Sequence, residues 1–173
     1  GNERVARFRP RVPAGSNLIL CPGRFGEDNG QNILVEAIRR LERDDVFCLL
    51  LGSTGTATPF EKELERAIEA AQLNGRVQIG PYVDDMPAAY MLADVVVSTG
   101  GARQGFSRAL VEAQAMGRPV VAEDGGGAAH TIGIVEHGRK DLDGGLGAAQ
   151  RVGDADDLAH SLGTVGEEAE ADP

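Results

Sequence analysis

The chain has 173 residues, a length that suffices for one domain and is too short for two of ordinary size. Its net charge of −10 and its lack of a basic run argue against binding to nucleic acid or to an anionic membrane surface. Aromatic residues make up only 4% of the chain, so its core must consist of Val, Ile, Leu and Ala, as in parallel strands buried on both faces.

Predicted strands and helices alternate along the chain. The first strand covers residues 18–21, and the first helix begins at about Gln31, with its apolar residues repeating on one face. The elements that follow are a strand at 46–51, a helix at 60–73, a strand at 77–79, a helix at 86–93, a strand at 95–97, a helix at 108–116, a strand at 119–122 and a helix at 155–162 capped by Asp154. This order predicts an α/β fold, a three-layer Rossmann-like domain with a parallel sheet flanked by helices.

The predicted domain covers residues 17–165, between a linker-like segment at 1–16 and an acidic tail at 166–173. Open parallel sheets bind ligands at the carboxyl ends of their strands, so the segments after each strand are the candidates for a site. The sequence has no G-x-G-x-x-G after the first strand and no G-x-x-x-x-G-K-[ST], which removes the main support for dinucleotide and P-loop binding.

One segment resembles a known family. The run SRALVEAQAMGRPVVA, from Ser107 to Ala122, is similar to the C-terminal domain of family-4 retaining glycosyltransferases of the GT-B fold, which have an E-x7-E motif, a helix ending in EAxAxG and then PVVA. Weaker matches occur in the family's order at Gly23-Arg24, at Asn29-Gly30 in place of KG, at 49–52, at 77–80 and in MPAAYMLADVVVS at 86–98. The resemblance covers roughly residues 7–130 and implies one half of a GT-B fold.

The resemblance implies a domain that binds a UDP-, GDP- or ADP-sugar in a cleft facing an N-terminal acceptor domain, and we expect that N-terminal domain to be missing from this chain. The implied reaction is transfer of a hexose to a glycan or lipid acceptor, with no metal or other cofactor and no assigned enzyme nucleophile. We expect the isolated domain to be inactive and the protein to be cytoplasmic. Peripheral membrane association is an expectation for the full-length enzyme only.

Two candidate binding residues follow the first strand. Arg24 matches the family's arginine that contacts the donor diphosphate, and its guanidinium offers forked donors to phosphate oxygens. The alternative is a solvated loop arginine. Asn29 replaces the family's lysine and can donate a hydrogen bond to a phosphate without supplying charge, although a purely structural role in the turn is equally open.

A second group of candidates precedes and enters the helix at 108–116. In the family, the loop that corresponds to Gly105, Phe106 and Ser107 holds sugar and phosphate through backbone amides, and the free amides of a helix N-terminus favour an anion. Glu112 is the second glutamate of E-x7-E and is implied to accept hydrogen bonds from the ribose hydroxyls. If these assignments hold, Arg24 and Glu112 must share one hollow.

The remaining candidates depart from the family or overlap with core packing. Gln104 replaces the first glutamate of E-x7-E and can contact sugar hydroxyls without carrying charge, while His130 replaces the glutamate of GGxxE. Gly52 and Ile79 are expected to line the nucleoside, although packing in the core explains them equally well. Gln104, His130 and Asn29 together replace three charged residues of the family.

Two other functions stay open. A degenerate or redesigned non-catalytic domain would keep the fold as a scaffold or interaction module, and the lost charges favour it. An epimerase or phosphorylase relative is the other alternative, but the only lysines, Lys62 and Lys140, do not lie in a suitable strand-end loop for a phosphorylase cofactor.

Overall fold

The computed structural model describes residues 12–100, 107–125 and 149–164. The strands in these ranges are β1 (Asn17–Pro22), β2 (Val46–Ser53), β3 (Val77–Pro81), β4 (Val95–Ser98), β5 (Val120–Glu123) and β6 (Ala149–Val152). The helices are α1 (Gln31–Arg40), α2 (Pro59–Ala70), α3 (Met86–Leu92), α4 (Arg108–Ala115) and α5 (Ala155–Gly163), with a 3-10 turn at Glu27–Asn29 before α1.

The strands form one parallel sheet in the order β3-β2-β1-β4-β5-β6. Leu20 in β1 pairs with Leu49 on one side and with Val96 on the other, so β1 and β4 are neighbours at the centre. The chain therefore builds outward from β1 to β3, returns to the centre and builds outward again in the other direction. This confirms the predicted Rossmann-like α/β fold and places the topological switch point between β1 and β4.

Each face of the sheet is covered by helices, because successive side chains of a strand point to opposite faces. Ile19 and Cys21 face a cluster completed by α1, α2 and α5, with Leu34, Ile38, Leu64, Ile68, Leu158 and Leu162. Leu18 and Leu20 face a second cluster completed by α3 and α4, with Ala88, Ala89, Tyr90, Leu110 and Ala113. The result is the expected three-layer arrangement.

Differences from the predicted elements have local causes. Helix α2 begins one residue early, at Pro59, and ends at Ala70 rather than at residue 73, because Gln72 adopts a left-handed conformation with φ of 58°. Strand β6 was not predicted from the sequence. It pairs with β5, and its Gln150 and Arg151 are exposed, so it has no apolar run to mark it.

The N-cap residues of α5 and α4 behave differently. Asp154 caps α5 as expected, because its carboxylate accepts hydrogen bonds from the amides of Asp156 and Asp157 at 2.8 and 3.0 Å. Ser107 occupies the N-cap position of α4, but its side chain makes no capping hydrogen bond. The sequence therefore predicted the place where α4 begins, but not how it is capped.

A glycine contact joins the loops that follow β1 and β4. Gly30 precedes α1 with φ of 64°, and a Cβ atom there would lie 2.0 Å from the carbonyl oxygen of Thr99. The hydroxyl of Thr99 in turn donates to the carbonyl oxygen of Asn29 at 2.9 Å. The two segments thus meet at backbone distance beside the switch point, an approach that only glycine permits.

This contact predicts a difference between two glycine substitutions. We expect Gly30→Ala to lower the free energy of unfolding by about 2–4 kcal/mol, since left-handed backbone and overpacking both oppose the new methyl group. Gly55→Ala is the matched control, because Gly55 has φ of 87° but no atom within 4 Å of its Cβ position, so strain alone should cost about 1 kcal/mol. Urea unfolding of both variants measures the difference, and equal losses would show that the Thr99 contact is unimportant.

Candidate functional site

A cavity of about 810 Å³ opens at the carboxyl ends of β1, β2 and β3, beside α3 and α4. This is the edge of a parallel sheet at which ligands bind. Its lining residues are Pro22, Gly23, Arg24, Leu51, Gly52, Thr54, Tyr82, Val83, Asp84, Met86, Pro87, Tyr90, Arg108, Ala109, Glu112, Ala115 and Met116. A volume of this size suits a ligand as large as a nucleotide.

Arg24 and Glu112 lie in the wall of this one cavity, as the resemblance required. Arg24 follows β1 in the chain, whereas Glu112 lies in the middle of α4, and both side chains are exposed. Strand β1 and helix α4 are separated by most of the domain in sequence, and the neighbouring positions of β1 and β4 bring them together.

The loop that presents Arg24 is held by side-chain amides. The carbonyl oxygen of Arg24 accepts a hydrogen bond from Asn29 Nδ2 at 2.6 Å and another from the buried Gln31 Nε2 at 3.1 Å. Asn29 itself is not among the described residues that line the cavity. In this structure Asn29 stabilises the backbone at Arg24. The residue that replaces the family's lysine therefore supports Arg24 and does not line the cavity.

The two predicted nucleoside contacts lie in different surroundings. Gly52 lines the cavity, and a Cβ atom there would be 1.9 Å from the carbonyl oxygen of Gly23, so the ends of β1 and β2 approach closely. Ile79 is half-buried and packs against the hydrophobic cluster under α1 and α2, away from the described cavity wall. The structure therefore brings Gly52 to Arg24 and Glu112, but not Ile79.

Four candidate residues, Gln104, Gly105, Phe106 and His130, lie outside the described residues. Ser107 is described and buried, and the chain continues from it directly into α4. Arg108 and Ala109, the first two residues of α4, line the cavity. The N-terminal end of α4, which is the positive end of the helix dipole, is therefore part of the site.

Sequence reasoning missed Arg108 as a second cation of the site. Its side chain is exposed at the cavity, and within the described ranges no carboxylate forms an ion pair with Arg108 or with Arg24. Its position was open to prediction, because it is the first residue of a helix that follows a strand-end segment. The two guanidinium groups provide local positive charge in a chain of net charge −10.

Sequence reasoning also missed the two tyrosines that line the cavity. The ring of Tyr82, directly after β3, is 67% exposed at the cavity, and its amide donates to the carbonyl oxygen of Ser53 at 2.7 Å. Tyr90, in α3, is only 1% exposed, and its hydroxyl donates to Glu112 Oε2 at 3.0 Å. One ring is thus available to a ligand, while the other is committed to a carboxylate of the site.

The surroundings of Tyr90 keep its hydroxyl protonated. Burial raises the pKa of Tyr90 above its ordinary value of 10.0, because the phenolate would lose its hydration. The hydrogen bond to Glu112 and the negative charge of that carboxylate raise the pKa further, whereas the charge of Arg108 acts in the opposite direction. At neutral pH, Tyr90 is therefore a neutral donor to the carboxylate.

The cavity combines an ionic side with an apolar side. Arg24 and Arg108 supply positive charge, Glu112 supplies a carboxylate, and Val83 and Met86 contribute apolar surface.

Within residues 12–100, 107–125 and 149–164, no group of three His, Cys, Asp or Glu side chains is placed to hold a metal ion. None of the described helices has the length and apolar character that a membrane crossing requires.

The sheet order and the cavity at its switch point define a Rossmann-like domain of the kind that forms one half of a GT-B glycosyltransferase. Residues 2–162 match the family model described as "Glycosyl transferases group 1". The chain belongs to this family.

One relative is a D-inositol 3-phosphate glycosyltransferase of Xylanimonas cellulosilytica, 35% identical over 123 residues, which make up 70% of this chain and 29% of the relative. A glycosyltransferase structure from Rickettsia africae superposes with a TM-score of 0.83 at 25% identity, covering 98% of this chain and 43% of that one. Anabaena HepE in complex with UDP-glucose superposes with a TM-score of 0.77 at 25% identity, covering 98% and 44%. The chain thus spans less than half the length of each.

The Tyr90–Glu112 contact predicts a measurable ionisation. The chain has two tyrosines, so a Tyr82→Phe variant reports Tyr90 alone through tyrosinate absorbance. We expect its apparent pKa to lie above 10.0, and adding Glu112→Gln to lower it only in part, since burial is the larger cause. An unshifted titration of a folded Tyr82→Phe chain would contradict the buried hydrogen bond, and circular dichroism along the titration identifies the pH at which the fold is lost.

Proposed function

We propose that this chain is the domain of a retaining glycosyltransferase that binds the nucleoside-diphosphate sugar donor. The observation that supports this most directly is that Arg24, Arg108 and Glu112 line one cavity at the switch point of the sheet. Two guanidinium groups suit a diphosphate, and a nearby carboxylate suits a pair of sugar hydroxyls. A nucleoside diphosphate presents both kinds of group on one molecule.

In this proposal the diphosphate binds between Arg24 and the beginning of α4. The forked donors of Arg24 and Arg108 contact phosphate oxygens, and the backbone amides at the N-terminus of α4 add donors and a favourable dipole. Arg108 replaces the charge that is lost where Asn29 stands in the family's lysine position. Because the whole chain is acidic, this local charge must act against the global field, and we expect binding to weaken at high salt.

The nucleoside lies on the other side of the cavity in this proposal. Glu112 accepts hydrogen bonds from the ribose hydroxyls, and the exposed ring of Tyr82 offers a face on which a base can stack. The apolar side chains of Val83 and Met86 exclude water from this part of the cavity. Gly52 contributes a wall without a side chain, which leaves room for the ligand beside β2.

The comparisons support a nucleotide-sugar donor, since the similar Anabaena protein was solved with UDP-glucose. We propose UDP as the first nucleotide to test. For the whole enzyme we propose transfer of a hexose to a glycan or lipid acceptor as the reaction. The acceptor site belongs to an N-terminal domain, so catalysis by this chain alone is not expected. The cytoplasmic location and the peripheral membrane association of the full-length enzyme also stay predictions.

The proposal predicts that the chain binds at least one of UDP, GDP and ADP. The base preference of the site determines which of the three binds best. Titration of the labelled protein followed by NMR should shift amide signals of Arg24, Gly52 and Glu112 at millimolar nucleotide. Amides of α5, on the opposite face of the sheet, serve as the internal control. Absence of shifts at the cavity with every nucleotide would contradict the proposal and favour a scaffold domain.

Replacement of the two cavity arginines should weaken the diphosphate contact selectively. We expect Arg24→Ala and Arg108→Ala each to reduce the affinity for UDP roughly tenfold, as the loss of one charge-assisted contact does, with little change for uridine. Arg66→Ala is the matched control, because Arg66 is exposed on α2 and does not line the cavity. Isothermal titration calorimetry measures both ligands.

The alternative function makes the opposite forecast for the same variants. A non-catalytic scaffold has no use for a diphosphate site, so Arg24→Ala and Glu112→Ala would leave nucleotide affinity at the level of the Arg66→Ala control. Equal affinities for UDP and uridine in the wild-type chain would also favour the scaffold, since no phosphate contact would then contribute.

A further inference from the structure

We infer that Tyr90 is a positioning residue, whose hydroxyl holds one oxygen of the Glu112 carboxylate so that the rest of the carboxylate is presented to the ribose diol. The inference rests on the proposed function of Glu112 and goes beyond it by naming what orients the carboxylate. It assigns a binding role to a side chain that otherwise counts only as part of the core.

The geometry of the pair is specific. Tyr90 lies in α3 and Glu112 in α4, and the phenolic oxygen is 3.0 Å from Glu112 Oε2. An ionised carboxylate has no proton to donate, so the hydroxyl is the donor and its direction is determined. The contact joins two helices that both form the cavity wall.

The two partners differ in their freedom to move. Tyr90 is 1% exposed and is enclosed by the hydrophobic cluster between the sheet and helices α3 and α4, so its ring has one position. Glu112 is exposed, and a solvent-facing glutamate has several rotamers of similar energy. A hydrogen bond from the immobile partner selects one of these rotamers before a ligand arrives, which reduces the entropy that binding must remove.

The bond leaves acceptor capacity for a ligand. Glu112 Oε2 receives the Tyr90 hydroxyl, while Oε1 has no hydrogen bond to the described residues. A carboxylate has about four lone-pair directions, so two hydroxyl groups of a ribose can still be accepted. Because burial and the neighbouring carboxylate both raise the pKa of Tyr90, the phenol stays a donor at neutral pH.

The test measures affinity for UDP and for 2′,3′-dideoxy-UDP by calorimetry. We expect Tyr90→Phe, which keeps the buried ring, to lower the affinity for UDP about fivefold, which is the effect of one hydrogen bond. The affinity for dideoxy-UDP should not change. In a Glu112→Ala background, Tyr90→Phe should have no further effect on UDP. Thr164→Val is the control, because it removes a hydroxyl that donates to Ser161 in α5, outside the cavity.

A loss that is equal for UDP and dideoxy-UDP would overturn the inference, since a merely structural tyrosine would disturb both ligands alike. Unchanged UDP affinity in Tyr90→Phe would overturn it too. If wild-type protein binds neither nucleotide, the proposed function itself fails.

Discussion

The close approach of backbone segments at the carboxyl edge of the sheet is the constraint on which the site depends. Gly52 allows the end of β2 to meet Gly23 after β1, and Gly30 allows the start of α1 to meet Thr99 after β4. Each contact is too short for any Cβ atom. Because the three strands involved lie side by side, these approaches set the position of Arg24 relative to β4 and the elements that follow it. Of the residues in these two contacts, Gly23 and Gly52 line the cavity itself.

The cavity carries local positive charge although the chain as a whole is acidic. A chain of net charge −10 is a poor attractor of diphosphates at long range, yet Arg24 and Arg108 both face one cavity and are free of ion pairs with described carboxylates. Other arginines are engaged differently, as Arg39 and Arg40 are with Glu36 on α1. Those surface pairs contribute little to stability, whereas Arg24 and Arg108 lie together in the hollow to which the proposed function assigns the diphosphate.

The domain keeps the family fold, and the resemblance implies changes in its site. Its sheet order and its membership of the group 1 glycosyl transferases are clear, while the resemblance implies that Asn29, Gln104 and His130 stand where the family has charged residues. At Asn29 the consequence is visible, because its amide supports the backbone of Arg24. Arg108 lies where it can supply the missing charge. A fold depends on many small burial terms, but a site depends on a few groups, so the site can change while the fold persists.

The sequence by itself determined the alternation of strands and helices, the parallel sheet and the family, because apolar periodicity and the GRPVVA block are local features of the chain. It also indicated Arg24 and Glu112. The tertiary structure alone decided that Ile79 faces the core, that Arg108 lines the cavity and that Tyr90 donates to Glu112. Strand β6 likewise became visible only through its pairing with β5. These features are contacts between residues far apart in the chain, and their existence depends on strand order and helix packing, which no local pattern encodes.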